Sequence, residues 1–359
     1  MFYFRIIRPN KRNIKRMNKK TQLLIDYRNN TAVSQSELKG VLSNNVKPFK
    51  GNLASMIGNL VDCCLTTPEC LTDWFYVSNL TKYPKPQIKL VFDTYYNILV
   101  ENELPIEFDN THILEVFREI SNSNSKDDTV LTSLMAEQDY WDSLKEANGR
   151  IVVSQDYWNK CSLIANSIKS NPITFEFFQE DLFKEIEFQK PIYWTYTDES
   201  GTTVECKGLI DIFITDHHNK TVQIIDIKIT GDSLTTWKRN IARKHNPVFQ
   251  LAYYYEGINQ LYPNYIQLNP VLLVENIDYP GKPRVFDLSN SDLIHGRHGC
   301  IRQKNAIITE EVDISYEEEV IHGWETALQR YIQAKQLGLP DYDIEYYRNN
   351  GRSQLNLWI

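Results

Sequence analysis

The chain has 359 residues, 42% of them apolar and 12% aromatic, and its 39 basic and 46 acidic side chains give a formal net charge of −7. That apolar content excludes a disordered chain, and no run approaches the roughly eighteen uncharged apolar residues that a membrane span requires. The acidic balance excludes a protein that coats DNA non-specifically, because neutralising phosphates takes Lys and Arg, but it leaves room for a local basic groove.

The first twenty residues, "MFYFRIIRPNKRNIKRMNKK", carry eight basic and no acidic side chains and read as a basic arm over 1–20, with Met17 as an alternative start to Met1. No apolar h-region follows them, so no export signal is expected. The six cysteines form no even framework in so long a chain, so reduced thiols and a cytoplasmic setting are expected.

From 21 to 150 the pattern is mainly helical. "SQSELKGVL" offers Ser34 as N-cap and Glu37 at the third helical position, a capping box. "NLASMIGNLVDCCL", "LVFDTYYNILVENE" and "THILEVFREI" repeat apolar residues at helical spacing, with a polar interruption at "SNSNSKDD". "SQDYWNKCSLIANSIKSN" predicts another helix, capped by Ser154.

From about 186 the period becomes two. "EFQKPIYWTYTDESGTTVECKGLIDIFITD" predicts two strands around the turn "DESG", and "TVQIIDIKI" predicts a third. "SLTTWKRNIARKH" returns to helical spacing. Asn246 and Pro247 then cap "VFQLAYYYEGINQ", "NPVLLVENI" is an apolar strand, and "SYEEEVIHGWETALQRYIQAKQLG" predicts a long terminal helix ended by Gly338. The core predicted from this pattern runs over 151–345, with a tail at 346–359.

The strand pattern places an acid where a plain hairpin would have another isoleucine. Side chains alternate faces along a strand, so Ile224, Asp226 and Lys228 share one face while Ile225, Ile227 and Ile229 share the other. Asp211 lies mid-strand in "GLIDIFI", and a tight turn at "DHHNK" can bring it beside Asp226. Two carboxylates meeting among isoleucines repel unless a cation lies between them. A hard divalent ion supplies that charge, with the backbone carbonyl of Ile227 as a further oxygen ligand. Lys228 beside such an ion can orient an attacking water, which is the chemistry of metal-assisted phosphodiester hydrolysis. The alternative for Asp226 and Lys228 is a solvated surface ion pair.

Four residues apart on the next predicted helix, Gln250 and Tyr254 share a face. Together "GLID", "DIK" and "QLAYY" resemble the RecB-like branch of the PD-(D/E)xK nuclease superfamily, with its G-x-x-D, D/E-x-K and Q-x-x-x-Y pattern. The flanking segments, "SELKGVL", "MIGNLVD" and "NPVFQLAYYYEGI" among them, are similar to phage-type RecE-like recombination exonucleases over roughly 30–345.

The resemblance implies an α/β fold: a restriction-endonuclease-like core whose central mixed sheet is flanked by helices, with a helical N-terminal region. It implies a Mg²⁺- or Mn²⁺-dependent DNA exonuclease acting on duplex ends, with Asp211 and Asp226 as metal ligands and Lys228 as base or water-orienting group. Gln250 and Tyr254 would position the DNA backbone or the carboxylates. Partners implied are duplex DNA, a single-strand annealing protein and a closed homo-oligomer, in a bacterial host cytoplasm if the chain is phage-encoded. A structure-specific or restriction-like endonuclease, or a DNA-binding protein with an impaired nuclease site, are the alternatives.

Asp62 stands where these nucleases usually carry a His, and is either a substitute ligand or a helix-surface acid. Glu187 is either an outer ligand or a strand-edge charge. Lys238, Arg239, Arg243 and Lys244, near Trp237, form either a phosphate-gripping surface or a solvated face over a buried Trp. An iron–sulfur cluster is not expected, since only Cys300 follows Gln250. "HGRHGC", with His295, His298 and Cys300, lacks a fourth metal ligand and reads as a polar loop.

Overall fold

The computed structural model describes residues 18–43, 53–121, 124–237, 246–308 and 314–339. The basic arm up to residue 17, Lys238, Arg239, Arg243, Lys244 and the tail at 346–359 lie outside them. In chain order the elements are α1 (Lys19–Asn29), β1 (Val33–Ser34), α2 (Gln35–Leu42), α3 (Leu53–Thr66), α4 (Leu71–Trp74) and β2 (Phe75–Ser78). Then come α5 (Pro86–Glu101), α6 (Asn110–Ile120), α7 (Asp127–Met135), α8 (Gln138–Ala147), β3 (Ile151–Ser154) and α9 (Gln155–Ser170). The second half holds β4 (Lys184–Thr197), β5 (Thr203–Asp216), β6 (Thr221–Thr230), α10 (Pro247–Leu261), β7 (Ile266–Gln267), β8 (Val271–Asn276) and β9 (Arg284–Asp287). It ends with α11 (Asn290–His298), β10 (Gly299–Ile308), β11 (Ile314–His322) and α12 (Trp324–Gln336).

The described residues fall into two compact units, and the division is not a simple cut of the chain. One unit takes in those within Asp26–Phe49 and Ser167–Ile359, the other those within Tyr3–Ile25 and Lys50–Asn166. Residues 26–43, placed by sequence with the helical region, thus join the sheet, because β1 adds to it in parallel at Val33 and Ser34, beside Cys206 and Lys207.

The sheet unit is α/β, with a central mixed sheet of seven strands flanked by helices. β4 and β6 each run antiparallel to β5, β8 runs parallel to β6, and β9 closes antiparallel to β8. Its core gathers Ile210, Phe213, Val222, Ile224, Leu272 and Val274 from the strands with Phe249, Leu251 and Tyr253 from α10. Burying each of the larger of these side chains contributes about 1.5–3 kcal/mol. The helical unit has its own core, in which Tyr95 stacks on Trp141 with ring centroids 5.4 Å apart.

The caps form as the sequence predicts. Ser34 accepts from the Glu37 N–H while Glu37 Oε2 accepts from the Ser34 N–H at 2.8 Å, completing the capping box of α2. Asn246 adopts a left-handed conformation (φ 41°) and accepts from the Phe249 N–H at 3.2 Å, and Pro247 follows at the first helical position.

Two expectations are corrected. "ISYEEEVIH" is the strand β11, paired antiparallel with β10 from Gly299↔His322 onward, and the terminal helix begins only at Trp324. The reason is a close crossing of backbones: a Cβ on Gly323 would lie 2.1 Å from the Arg297 carbonyl oxygen, and one on Gly299 2.3 Å from that of Ile321. Gly299 also has φ +90°, which a side chain would strain. The second correction concerns "HGRH", which is the last turn of α11 rather than a loop, behind a capping box at Ser289 and Asp292.

Candidate functional site

The site forms where the sheet forks. β4 occupies one edge of β5 along its length, so β6 and β1 must share the other edge. The β5–β6 ladder ends at Ile212↔Ile225, and β1 takes over only at Cys206 and Lys207. Between them Asp211 on β5 and Asp226 to Lys228 on β6 flank a gap in the hydrogen-bonded ladder.

An unpaired amide in such a gap is costly, and a side chain satisfies it. Asp211 Oδ2 accepts from the Ile227 N–H at 2.8 Å. A strand residue sends its N–H and C=O to the same edge, so the carbonyl of Ile227 leaves β6 toward the same gap. The Lys228 ammonium lies 3.5 Å from that carbonyl oxygen and forms an ion pair with Asp226 Oδ2.

Each carboxylate is also held by a glutamine. Gln250, 3% exposed on α10, donates from Nε2 to Asp226 Oδ1 at 2.7 Å, and Asp226 itself is 2% exposed. Gln189, 3% exposed on β4, donates from Nε2 to Asp211 Oδ1 at 3.2 Å. Burial, and then the negative charge of Asp226, push the Asp211 carboxyl up to about 6, with Lys228 and the Ile227 N–H opposing. Asp226 Oδ2 finds no well-aligned hydrogen-bond donor, only the ammonium of Lys228 against it.

Tyr254, one turn after Gln250, packs its ring onto Gly208. A Cβ at 208 would meet Tyr254 Cδ1 at 2.8 Å, which is the physical reason for glycine at the start of "GLID". Burial raises the Tyr254 phenol well above its usual range, with Tyr27, Asp226 and Asp211 adding to the effect. It therefore remains a protonated hydroxyl at neutral pH.

Two contributors were missed by sequence. Gln189 stands in "EFQKP" with no motif to mark it. Lys39 arrives on α2, its ammonium 5.6 Å from the centroid of the Phe249 ring. Burial lowers the Lys39 ammonium to about 7, helped by the like charge of Lys228 and opposed by Asp226. A lysine in a capped amphipathic helix reads as a solvent-facing charge, and only the packing of α2 on α10 reveals it.

The other candidates have these described contacts. Glu187 pairs with Lys190, whose ammonium in turn sits 4.7 Å from the Phe213 ring centroid, and none of its described contacts reaches either acid. Asp62 is on α3 in the helical unit, where the Thr66 hydroxyl donates to its backbone carbonyl at 2.7 Å and to its carboxylate at 3.3 Å. Trp237 is buried and stacked on Phe286, 5.5 Å between centroids. His298 pairs with Glu325 at 2.8 Å. Among the described residues, no group of three or more His, Cys, Asp or Glu side chains is placed to hold a metal; the oxygen donors that the fork itself brings together are the carboxylates of Asp211 and Asp226 and the Ile227 carbonyl. That donor set fits Mg²⁺ or Mn²⁺, hard ions that complete their coordination with water and substrate phosphate.

No family model matches the sequence, and no curated protein matches it. Among solved structures, 11 chains match. One of them, from Eubacterium rectale and named "Putative exonuclease", is 10% identical and covers 77% of this chain and 94% of its own, with a TM-score of 0.34. At that level of likeness the chemistry of the fork rests on its own geometry. Among the described residues, no helix is long and apolar enough to cross a membrane.

Proposed function

We propose that this chain is a divalent-metal-dependent deoxyribonuclease that hydrolyses phosphodiester bonds, acting as an exonuclease on duplex ends in DNA recombination or end processing. The observation that carries the reading is the convergence at the fork of two carboxylates, Asp226 buried and Asp211 half-buried, and an ammonium. Asp211 is bonded to the Ile227 N–H and Asp226 is clamped between Gln250 and Lys228. Lys228 balances one of the two negative charges, and a bound cation would balance the other, whose repulsion is otherwise unfavourable away from bulk water. The resemblance of "GLID", "DIK" and "QLAYY" to the RecB-like nucleases points the same way.

Asp211, Asp226 and the Ile227 carbonyl would hold Mg²⁺ or Mn²⁺. The bound ion would polarise the scissile phosphate and make water a better nucleophile at neutral pH. The protein's part is orientation and proton handling. Gln250 fixes Oδ1 of Asp226 and leaves Oδ2 toward Lys228. Lys228 Nζ, between Asp226 and the Ile227 carbonyl, is placed to orient the attacking water and to stabilise negative charge on the phosphate oxygens. Tyr254 and Gly208 lock α10 against β5, which keeps Gln250 at its distance.

The test is nucleotide release from end-labelled linear duplex with Mg²⁺, with Mn²⁺ and with a chelator, run beside covalently closed circular duplex. Metal-dependent release from linear DNA with circles spared is the expected result. Cutting of the circles would assign an endonuclease instead. DNA binding with no cleavage under any metal would overturn the reading.

A further inference from the structure

We infer that Gln189 is a positioning residue for Asp211, the counterpart on β4 of what Gln250 does for Asp226; this rests on the metal-dependent reading of the fork. Three observations meet at this side chain. Its amide donates to Asp211 Oδ1 at 3.2 Å while the backbone N–H of Ile227 takes Oδ2, so both oxygens of that carboxylate are oriented from opposite sides. Its backbone is left-handed, φ 45°, in the interior of a 14-residue strand, a conformation that a glutamine seldom adopts and that the surrounding structure must impose. The β4–β5 register runs without slip from Lys184↔Asp216 to Thr197↔Thr203, which sets Gln189 across the ladder from Asp211.

A regular strand would alternate Gln189 with Phe188 and Lys190. The left-handed residue breaks that alternation where Asp211 lies across the ladder, and the side-chain amide reaches the Asp211 carboxylate there. Glu187, the acid that the sequence offers nearby, is engaged with Lys190 instead. The neutral donor thus sits on the carboxylate that already faces Asp226, where a second acid would add repulsion. In holding Oδ1, Gln189 sets the direction in which the free lone pairs of Asp211 point, and so the affinity of the fork for a divalent ion. Residues that orient ligands in this way commonly change metal affinity about 10–100-fold when removed.

Gln189→Gly is the decisive variant, because glycine takes the left-handed backbone without strain while the side chain and its amide are removed. Gln189→Asn, which also tolerates that backbone, keeps an amide on a shorter stem. Mn²⁺ binding to the full chain is measured by isothermal titration calorimetry, without DNA, with Asp226→Asn as the loss-of-site reference and thermal denaturation as the check of folding. The expected result is a Gln189→Gly chain that still folds and melts cooperatively, with Mn²⁺ affinity about 10–100-fold weaker, and partial recovery in Gln189→Asn. Wild-type affinity in Gln189→Gly would overturn the inference while leaving the metal site standing. No Mn²⁺ binding by the wild-type chain, or equal binding by Asp226→Asn, would overturn both this inference and the metal-dependent reading beneath it.

Discussion

Asp226 and Lys228 are separated by a single residue, and the ion pair between them is backed by a glutamine that leaves Asp226 2% exposed. In the proposed mechanism, neutralising Asp226 removes a metal ligand and neutralising Lys228 removes the group that would orient the water. Asp226→Asn and Lys228→Met are each expected to lower cleavage of linear duplex by about 10²–10³-fold or more, with far-ultraviolet circular dichroism unchanged. Activity within a factor of about three of wild type in either would refute the assignment.

Asp211 gives a prediction of opposite sign for stability. Its native carboxyl titrates near 6 rather than 3.8, so between those values the folded chain binds more protons than the unfolded one. Stability contributed by this group is therefore lost as pH rises through that window and stays lost above it. Asp211→Asn should stabilise the apo-protein at pH 7, on the order of 1–3 kcal/mol, and by much less at pH 4. Chemical denaturation at the two pH values checks this, and a loss of stability at pH 7 would contradict it. The same variant should no longer gain melting temperature from added Mg²⁺, since the group that an ion would neutralise is gone.

At the scale of elements, the site depends on how closely α10 approaches β5. Gly208 meets the Tyr254 ring, and Gly257 lies against Trp194, where a Cβ would come within 2.7 Å of the indole. These contacts seat the helix, and through it Gln250, against the strands. Gly208→Ala puts a methyl group into the ring and should destabilise the fold by about 1–3 kcal/mol. It should also lower turnover, because the helix must shift by more than the 2.7 Å hydrogen bond from Gln250 to Asp226 tolerates. A denaturation midpoint and a cleavage rate both unchanged would show that the contact is not what holds α10 in place.

Taken as a whole, the chain is acidic, −7 over 359 residues, and its proposed chemistry is confined to one fork in one sheet. Phosphate contacts should therefore be few. Duplex binding measured in chelator across a salt series should show a log–log slope smaller in magnitude than the roughly five to nine expected of a protein that neutralises six to ten phosphates. A slope in that range would mean an extended basic track on the surface, and would bring the cluster at Lys238, Arg239, Arg243 and Lys244 to the fore.

Local chemistry made much of this legible without a structure. Ser34 with Glu37, and Asn246 with Pro247, mark helix starts because their side chains can satisfy the first free amides. Period-two alternation placed Asp226 and Lys228 on one face because a strand has no other choice. What the sequence by itself determined, then, was the strands β4, β5, β6 and β8, the capped helices and the pairing of acid with base.

Only the tertiary structure decided which strand edges meet. The fork between β6 and β1, the Ile227 amide on Asp211, the left-handed Gln189 and the arrival of Lys39 all depend on contacts between residues distant in the chain. The misplaced terminal helix has the same cause, since "SYEEEVIH" becomes a strand through its pairing with β10 and through two glycines that let backbones cross. Periodicity reports which face of an element is apolar. It carries no information about which other element will cover that face, and at this fork that covering sets the position of each functional group.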